Sequence, residues 1–192
     1  KECTENEIID IVLKEINFPV FVKPANSGSS VGVTKAKNEK ELIDAINNAG
    51  IFDKDILVEQ GIVGKEIECA VLQVSNEELK TSTVGQILSA EEFYSYNAKY
   101  KNNKSITKIP ADISKDIEKR IQEIAGKVFR AVDGRGLARV DFFVEDITNK
   151  IYINEINTLP GFTSISMYSK LLEADGIPYN KILDILINLA IN

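Results

Sequence analysis

The sequence predicts an α+β fold with mostly antiparallel sheets. Three observations carry that expectation: capped runs with apolar residues at helical spacing, short β-rich runs broken at Gly and Pro, and a hairpin whose arms flank a turn at residues 146–149. At 192 residues, 44% of them hydrophobic, the chain can bury one core or two smaller ones.

Thr4-Glu-Asn-Glu7 has the form of a capping box, and Ile8, Ile9, Val12, Leu13 and Ile16 follow at helical spacing. Pro19 ends that helix, and Val20–Lys23 reads as a strand. Pro24 to Gly32 is a Gly/Ser-rich loop, with a return strand expected to start at Val31-Gly-Val33. Asn38 caps a second helix bearing Leu42, Ile46 and Ala49, and strand 56–60 comes next. Gly61 and Gly64 bracket a break, which places a small lobe at 1–62 and a large lobe at 63–192.

Strands are expected at 65–74 and 81–88. Residues 89–108 then hold three Tyr and four Lys without apolar periodicity, the pattern of a functional or mobile loop. Ser114 caps a helix carrying Ile117, Ile121, Ile124, Val128 and Phe129, which ends at Asp133-Gly134. Strands 137–145 and 150–156, a Pro160-Gly161 loop and two helices complete the chain. The opening Lys-Glu-Cys-Thr lacks an initiator Met, so the chain is expected to be part of a longer one.

Composition narrows the chemistry. The net charge of −6 argues against a nucleic-acid surface, and no apolar run approaches the roughly 18 residues of a membrane span. Cys3 and Cys69 lack CxxC spacing and read as two free thiols in a reducing cytoplasm. With no His, imidazole catalysis and His-bound zinc are excluded.

The most informative segment pairs Arg139-Val-Asp141 with Asn154-Glu155-Ile-Asn157. In a regular hairpin centred near Thr148, Asp141 opposes Glu155 and Arg139 opposes Asn157, and alternation sends all four side chains to one face. Two carboxylates and an amide oxygen on one patch repel unless a hard cation joins them, and Mg²⁺ takes such a set with water and phosphate completing its shell. A solvated sheet face with an incidental Arg–Asp pair is the competing reading. Lys23 to Gly32 delivers a Lys and then a loop of backbone N–H groups and hydroxyls, compatible with a phosphate nest and equally with a plain hairpin turn. Ile56 to Glu66 is an apolar strand ending in polar residues, an adenine wall or simply a buried strand and charged turn. Phe93 to Tyr100 interleaves aromatics with Lys99, which suits a lid closing over phosphate better than single-stranded nucleic acid in so acidic a chain.

In this order, FVKPANSGSSVGV, ILVEQ with the later Glu66, EFYSYNAKY, GLARVDFF and NEINTLPGFTSISMY resemble the D-alanine–D-alanine ligase family of the ATP-grasp superfamily. The resemblance implies two α+β lobes with nucleotide between them. It implies an ATP- and Mg²⁺- (or Mn²⁺-) dependent ligase that joins two D-alanines through a D-alanyl phosphate for peptidoglycan precursors. By that resemblance Lys23 and Lys99 contact phosphate, Glu59, Gln60 and Ile62 form the adenine hinge, and Glu66 meets the ribose. Asp141, Glu155 and Asn157 ligate the metal, Arg139 stabilises the tetrahedral intermediate, and Ser29 with Tyr100 closes the lid. Gly161, Ser166 and Met167 lie where the second D-alanine's carboxylate binds.

Ile165 departs from the His found in many members. The amino-terminal substrate domain is absent, so this chain is expected to be inactive alone, and the full protein to be a homodimer. D-Alanine–D-serine ligase, or another ATP-grasp carboxylate–amine ligase, is the alternative. Retention of Tyr96-x-x-Lys99-Tyr100 speaks against the D-lactate type, in which that motif is replaced, and so favours D-alanine, while the D-serine type can keep a similar lid.

Overall fold

The computed structural model describes residues 4–28, 30–88 and 106–191. The chain divides into two compact units at Ile62/Val63. Every strand pair in both is antiparallel.

In the first unit, Thr4 and Glu7 form the capping box that starts α1 (Glu5–Glu15). Strands β1 (Val20–Pro24), β2 (Thr34–Ala36) and β3 (Ile56–Gln60) make a sheet of order β2-β1-β3, and α2 (Glu39–Ala49) starts at Asn38. Val20, Val22 and Ala36 from the sheet and Leu42, Ala45 and Ala49 from α2 are buried together, with Ile9 and Val12 of α1 and its C-cap Ile16 packed on them. Each fully buried Val or Leu contributes about 1.5–3 kcal/mol. The return strand begins three residues later than expected. Ser30 (φ 59) and Gly32 (φ 72) are left-handed, so the chain is still turning where the sequence suggested a strand.

In the second unit, β4 (Gly64–Gln73), β5 (Leu79–Leu88), β6 (Ile106–Lys108), β7 (Leu137–Glu145) and β8 (Ile151–Asn157) form a sheet of order β6-β5-β4-β7-β8. One face packs on α3 (Lys115–Ala131), burying Ile67, Cys69, Val71, Val140 and Phe142 against Ile117, Ile121, Ala125 and Phe129. Helix α4 (Met167–Ala174) packs on β4 and β5 from the other side, where Tyr168 Oη donates to Val71 O at 3.1 Å. Helix α5 (Tyr179–Ile191) closes the chain. None of the described helices is long and apolar enough to cross a membrane.

Two boundaries change. Residues 106–108, read as the end of the 89–108 loop, pair with β5 as an edge strand. At the end of α3 it is Asp133 (φ 51), not Gly134, that turns left-handed. Gly134 is needed for space, because a Cβ there would stand 2.6 Å from the Phe129 ring. Cys69 is a buried free thiol, and burial pushes its pKa up to about 12. Cys3 lies outside the described residues.

Candidate functional site

The β7–β8 hairpin presents its polar residues by a less regular route than simple counting suggests. Near the turn the pairs are Val144↔Ile151, Phe143↔Tyr152 and Phe142↔Ile153; beyond it they are Asp141↔Glu155, Val140↔Ile156 and Arg139↔Asn157. No single register constant holds, because Asn154 is an extra residue absorbed as a bulge opposite the Asp141/Phe142 step. The apolar positions of β8 record this: Ile151 and Ile153 are two apart, and Ile156 follows after three. Without the bulge, Asn154 would oppose Asp141, and Glu155 would turn toward the face where Val140 is buried. The expected pairs at the polar end therefore form, while uniform alternation does not.

The resulting cluster is tightly connected. Arg139 donates from Nε to Asp141 Oδ1 and from Nη2 to Asp141 Oδ2, both at 2.7 Å. Asn157 Nδ2 donates to Asp141 Oδ2 at 3.0 Å and to Glu155 Oε1 at 3.1 Å. Asp141 is only 3% exposed although it lies on the polar face. A third carboxylate joins from β4: Glu68 opposes Asp141 in the ladder, and its Oε2 lies 3.2 Å from Arg139 Nε. Burial alone would lower the Arg139 pKa. The Asp141 hydrogen bonds and the charges of Asp141, Glu68 and Glu155 outweigh it and hold the guanidinium above its ordinary value.

Among the described residues, no three His, Cys, Asp or Glu side chains are gathered closely enough to hold a metal ion as they stand. The donor set nonetheless suits a hard cation. Two carboxylates already meet at one amide group, and turning that amide end for end would direct its oxygen where its nitrogen now points.

In the first unit, the sheet face opposite the core carries Lys23, whose Nζ lies 2.8 Å from Glu59 Oε1. Gln60 is occupied differently. Its side-chain oxygen accepts from Asn17 N at 2.9 Å, and its Nε2 donates to Gly61 O at 3.2 Å, so it braces the segment before β1. Ile62, half-buried, ends this unit. Glu66 stands two residues before Glu68 on β4, opposite Phe143. Ser166 is the N-cap residue of α4, but its side chain makes no capping hydrogen bond to the helix. Its Oγ accepts from Thr163 N at 3.2 Å, and a Cβ on Gly161 would lie 3.4 Å from that oxygen. Met167 is buried against Gly85, while Ile165 is exposed. Ser29, Lys99 and Tyr100 lie outside the described residues.

The structure thus brings together Lys23 with Glu59; Arg139 with Asp141, Glu155 and Asn157; and Gly161 with Ser166. The sequence reading did not include Glu68. The Glu66-x-Glu68 alternation on one strand was its signal, but showing that β4 lies beside β7 required the sheet order.

Residues 1–188 match the family described as D-ala D-ala ligase C-terminus. The chain is 54% identical over 177 residues to a D-alanine–D-alanine ligase of Caldicellulosiruptor bescii, covering 92% of this chain and 48% of that protein. It resembles the solved VanG D-Ala:D-Ser ligase of Enterococcus faecalis with a TM-score of 0.85 at 37% identity, covering 96% of this chain and 53% of the other. It also resembles the Bacillus anthracis D-alanine–D-alanine ligase complexed with ATP, with a TM-score of 0.75 at 29% identity, covering 100% and 58%. The chain spans about half the length of the curated relatives it matches. The α+β, ATP-grasp class expected from sequence agrees with these neighbours and with the antiparallel sheets.

Proposed function

The chain belongs to the D-ala D-ala ligase C-terminal family, and from that premise we propose that it is the nucleotide-binding part of an ATP-dependent ligase joining two D-alanines. The observation that carries this reading is the bulged hairpin, which sets one permanently charged guanidinium beside two carboxylates and an amide on a single sheet face.

In the proposed reaction, the first D-alanine's carboxylate attacks the γ-phosphorus of ATP, forming D-alanyl phosphate and ADP. The second D-alanine's amine attacks the acyl carbon, loses a proton, and the tetrahedral intermediate collapses with loss of phosphate. Lys23, held in place by Glu59, exchanges that partner for phosphate oxygens. Arg139 presents its remaining N–H groups to the negative oxygen that develops on the acyl carbon, and its charge does not depend on pH. Asp141, Glu155 and Asn157 would hold Mg²⁺ or Mn²⁺, which supplies charge neutralisation between phosphate groups when bound. Glu59, Gln60 and Ile62 are assigned to adenine. The Gln60 side chain is already engaged, which leaves its backbone for that contact. Glu66 is assigned to ribose, Gly161, Ser166 and Met167 to the second amino acid, and Ser29, Lys99 and Tyr100 to lid closure. An amino-terminal domain completes the substrate pocket, and the full protein is proposed to act in the cytoplasm as a homodimer.

The test is ADP and phosphate release by the full-length protein with and without D-alanine. Release that requires D-alanine is expected; release that ignores it would refute the assignment. Similarity to a D-Ala:D-Ser ligase favours one second reading, so D-serine belongs beside D-alanine as second substrate, and preferential turnover of D-serine would replace the first reading with it.

A further inference from the structure

Asp141 accepts from Arg139 Nε and Nη2 and from Asn157 Nδ2 through only two oxygens. If it also ligates a cation, as proposed above, some of those donors lose their acceptor. An arginine held by Asp141 alone would then swing when nucleotide and metal bind, at the stage when its direction matters. A second anchor is present. Glu68 opposes Asp141 on β4, its side chain is 7% exposed, and its Oε2 lies 3.2 Å from Arg139 Nε. Its neighbour on the other side is Gly85, where α4 comes down so closely that an added Cβ would meet Met167 and Leu171 at 3.0 Å. That flank is closed by packing, and the carboxylate is left facing the guanidinium.

We propose that Glu68 is a positioning residue for Arg139, holding Nε in place while Asp141 turns to the cation, so that the guanidinium fork keeps its aim through the reaction. In this structure the Glu68 contact is an ion pair and not a hydrogen bond, because Nε donates to Asp141; once Asp141 turns to the cation, Nε can donate to Glu68 Oε2 and leave the outer edge of the fork free. The inference rests on the function proposed above for Arg139 and Asp141.

The test uses the full-length protein with E68A and E68Q, and combines kinetics, calorimetry and ¹⁵N-arginine labelling. The Arg139 Nε–H resonance is assigned by its loss in R139K. In the unmodified protein this proton should stay protected from exchange with and without Mg·ATP. In E68A it should lose protection once Mg·ATP is added. The E68A kcat should fall on the order of tenfold to a hundredfold, the scale of a misaimed group, with the Mg·ATP dissociation constant unchanged. E68Q, which keeps an acceptor, should retain more rate than E68A, and it stands in if E68A does not fold. Unchanged Nε–H protection in E68A, or in E68Q if only that variant folds, would overturn the proposal. So would loss of Mg·ATP affinity in step with rate, which would make Glu68 part of the metal or nucleotide site. An unmodified protein that ignores D-alanine would instead defeat the ligase reading, and the Nε–H measurement would still decide the role of Glu68.

Discussion

Replacing Arg139 by Met should destabilise the protein more than replacing Asp141 by Asn, although both changes break the same ion pair. The cluster holds three carboxylates, Glu68, Asp141 and Glu155, around one guanidinium. R139M keeps most of the aliphatic packing but removes the cluster's one cation among the described residues. It leaves Asp141, whose side chain is 4% exposed, without two bonds of 2.7 Å and facing a second buried carboxylate. Removing one partner of a buried pair costs about 3–5 kcal/mol. Glu155 is exposed and adds little, because solvent screens it. D141N leaves two carboxylates around the arginine and keeps one acceptor oxygen, so about 1–2 kcal/mol is expected. Urea unfolding of the full-length protein measures both, with an unchanged m-value showing that stability itself moved. Mg²⁺ should recover part of the R139M loss, since a ligand of the native state stabilises it by mass action. A D141N cost equal to or above that of R139M would show that the arginine is not neutralising the patch.

Other expectations follow from the same geometry. Asp141→Ala and Glu155→Ala should each weaken Mg·ATP binding in calorimetry, whereas Arg139→Ala should lower the rate and leave nucleotide affinity near that of the parent; loss of binding in R139A would contradict its assigned role. Lys23→Ala should also weaken Mg·ATP binding, but should change thermal stability by under about 1 kcal/mol, because its pair with Glu59 is substantially exposed. Gly64→Ala should cost about 3 kcal/mol or more and disturb the β4–β7 pairing, since the new Cβ would stand 2.1 Å from Val144 O; a parent-like melting temperature would count against that packing. Burial raises the Cys69 pKa from 9.0 to about 12, so the native state retains a proton that the unfolded chain releases. Stability should therefore be fully present below pH 9.0 and fall as pH rises toward 12, with a shallower fall in C69A; equal slopes would refute the assignment.

Much of the fold was legible because its signals are local. Thr4, Asn38 and Ser114 cap the helices expected of them, and each receives the backbone N–H predicted by its spacing. The strands at 56–60 and 137–145 coincide with their apolar runs. What escaped depends on geometry that residue type alone does not set. The β8 bulge shows only in the step from Ile153 to Ile156, which a constant-sum register overlooks. Val31 and Val33 look β-like, yet the return strand begins only at Thr34, because their neighbours Ser30 and Gly32 take positive φ. Glu68 became visible only once β4 was known to lie beside β7, and Gln60 proved to brace Asn17 because a polar residue at a strand end gives no sign of its partner.

The measurement closest to the central claim follows one oxygen atom. The full-length protein is supplied with ATP, Mg²⁺ and D-alanine labelled with ¹⁸O in its carboxylate, and the released phosphate is examined by mass spectrometry. Attack of that carboxylate on ATP, followed by amine displacement at the acyl carbon, predicts one ¹⁸O in each phosphate formed with a dipeptide. Unlabelled phosphate would contradict the acyl-phosphate route, and with it the roles given to Arg139 and the carboxylates around it.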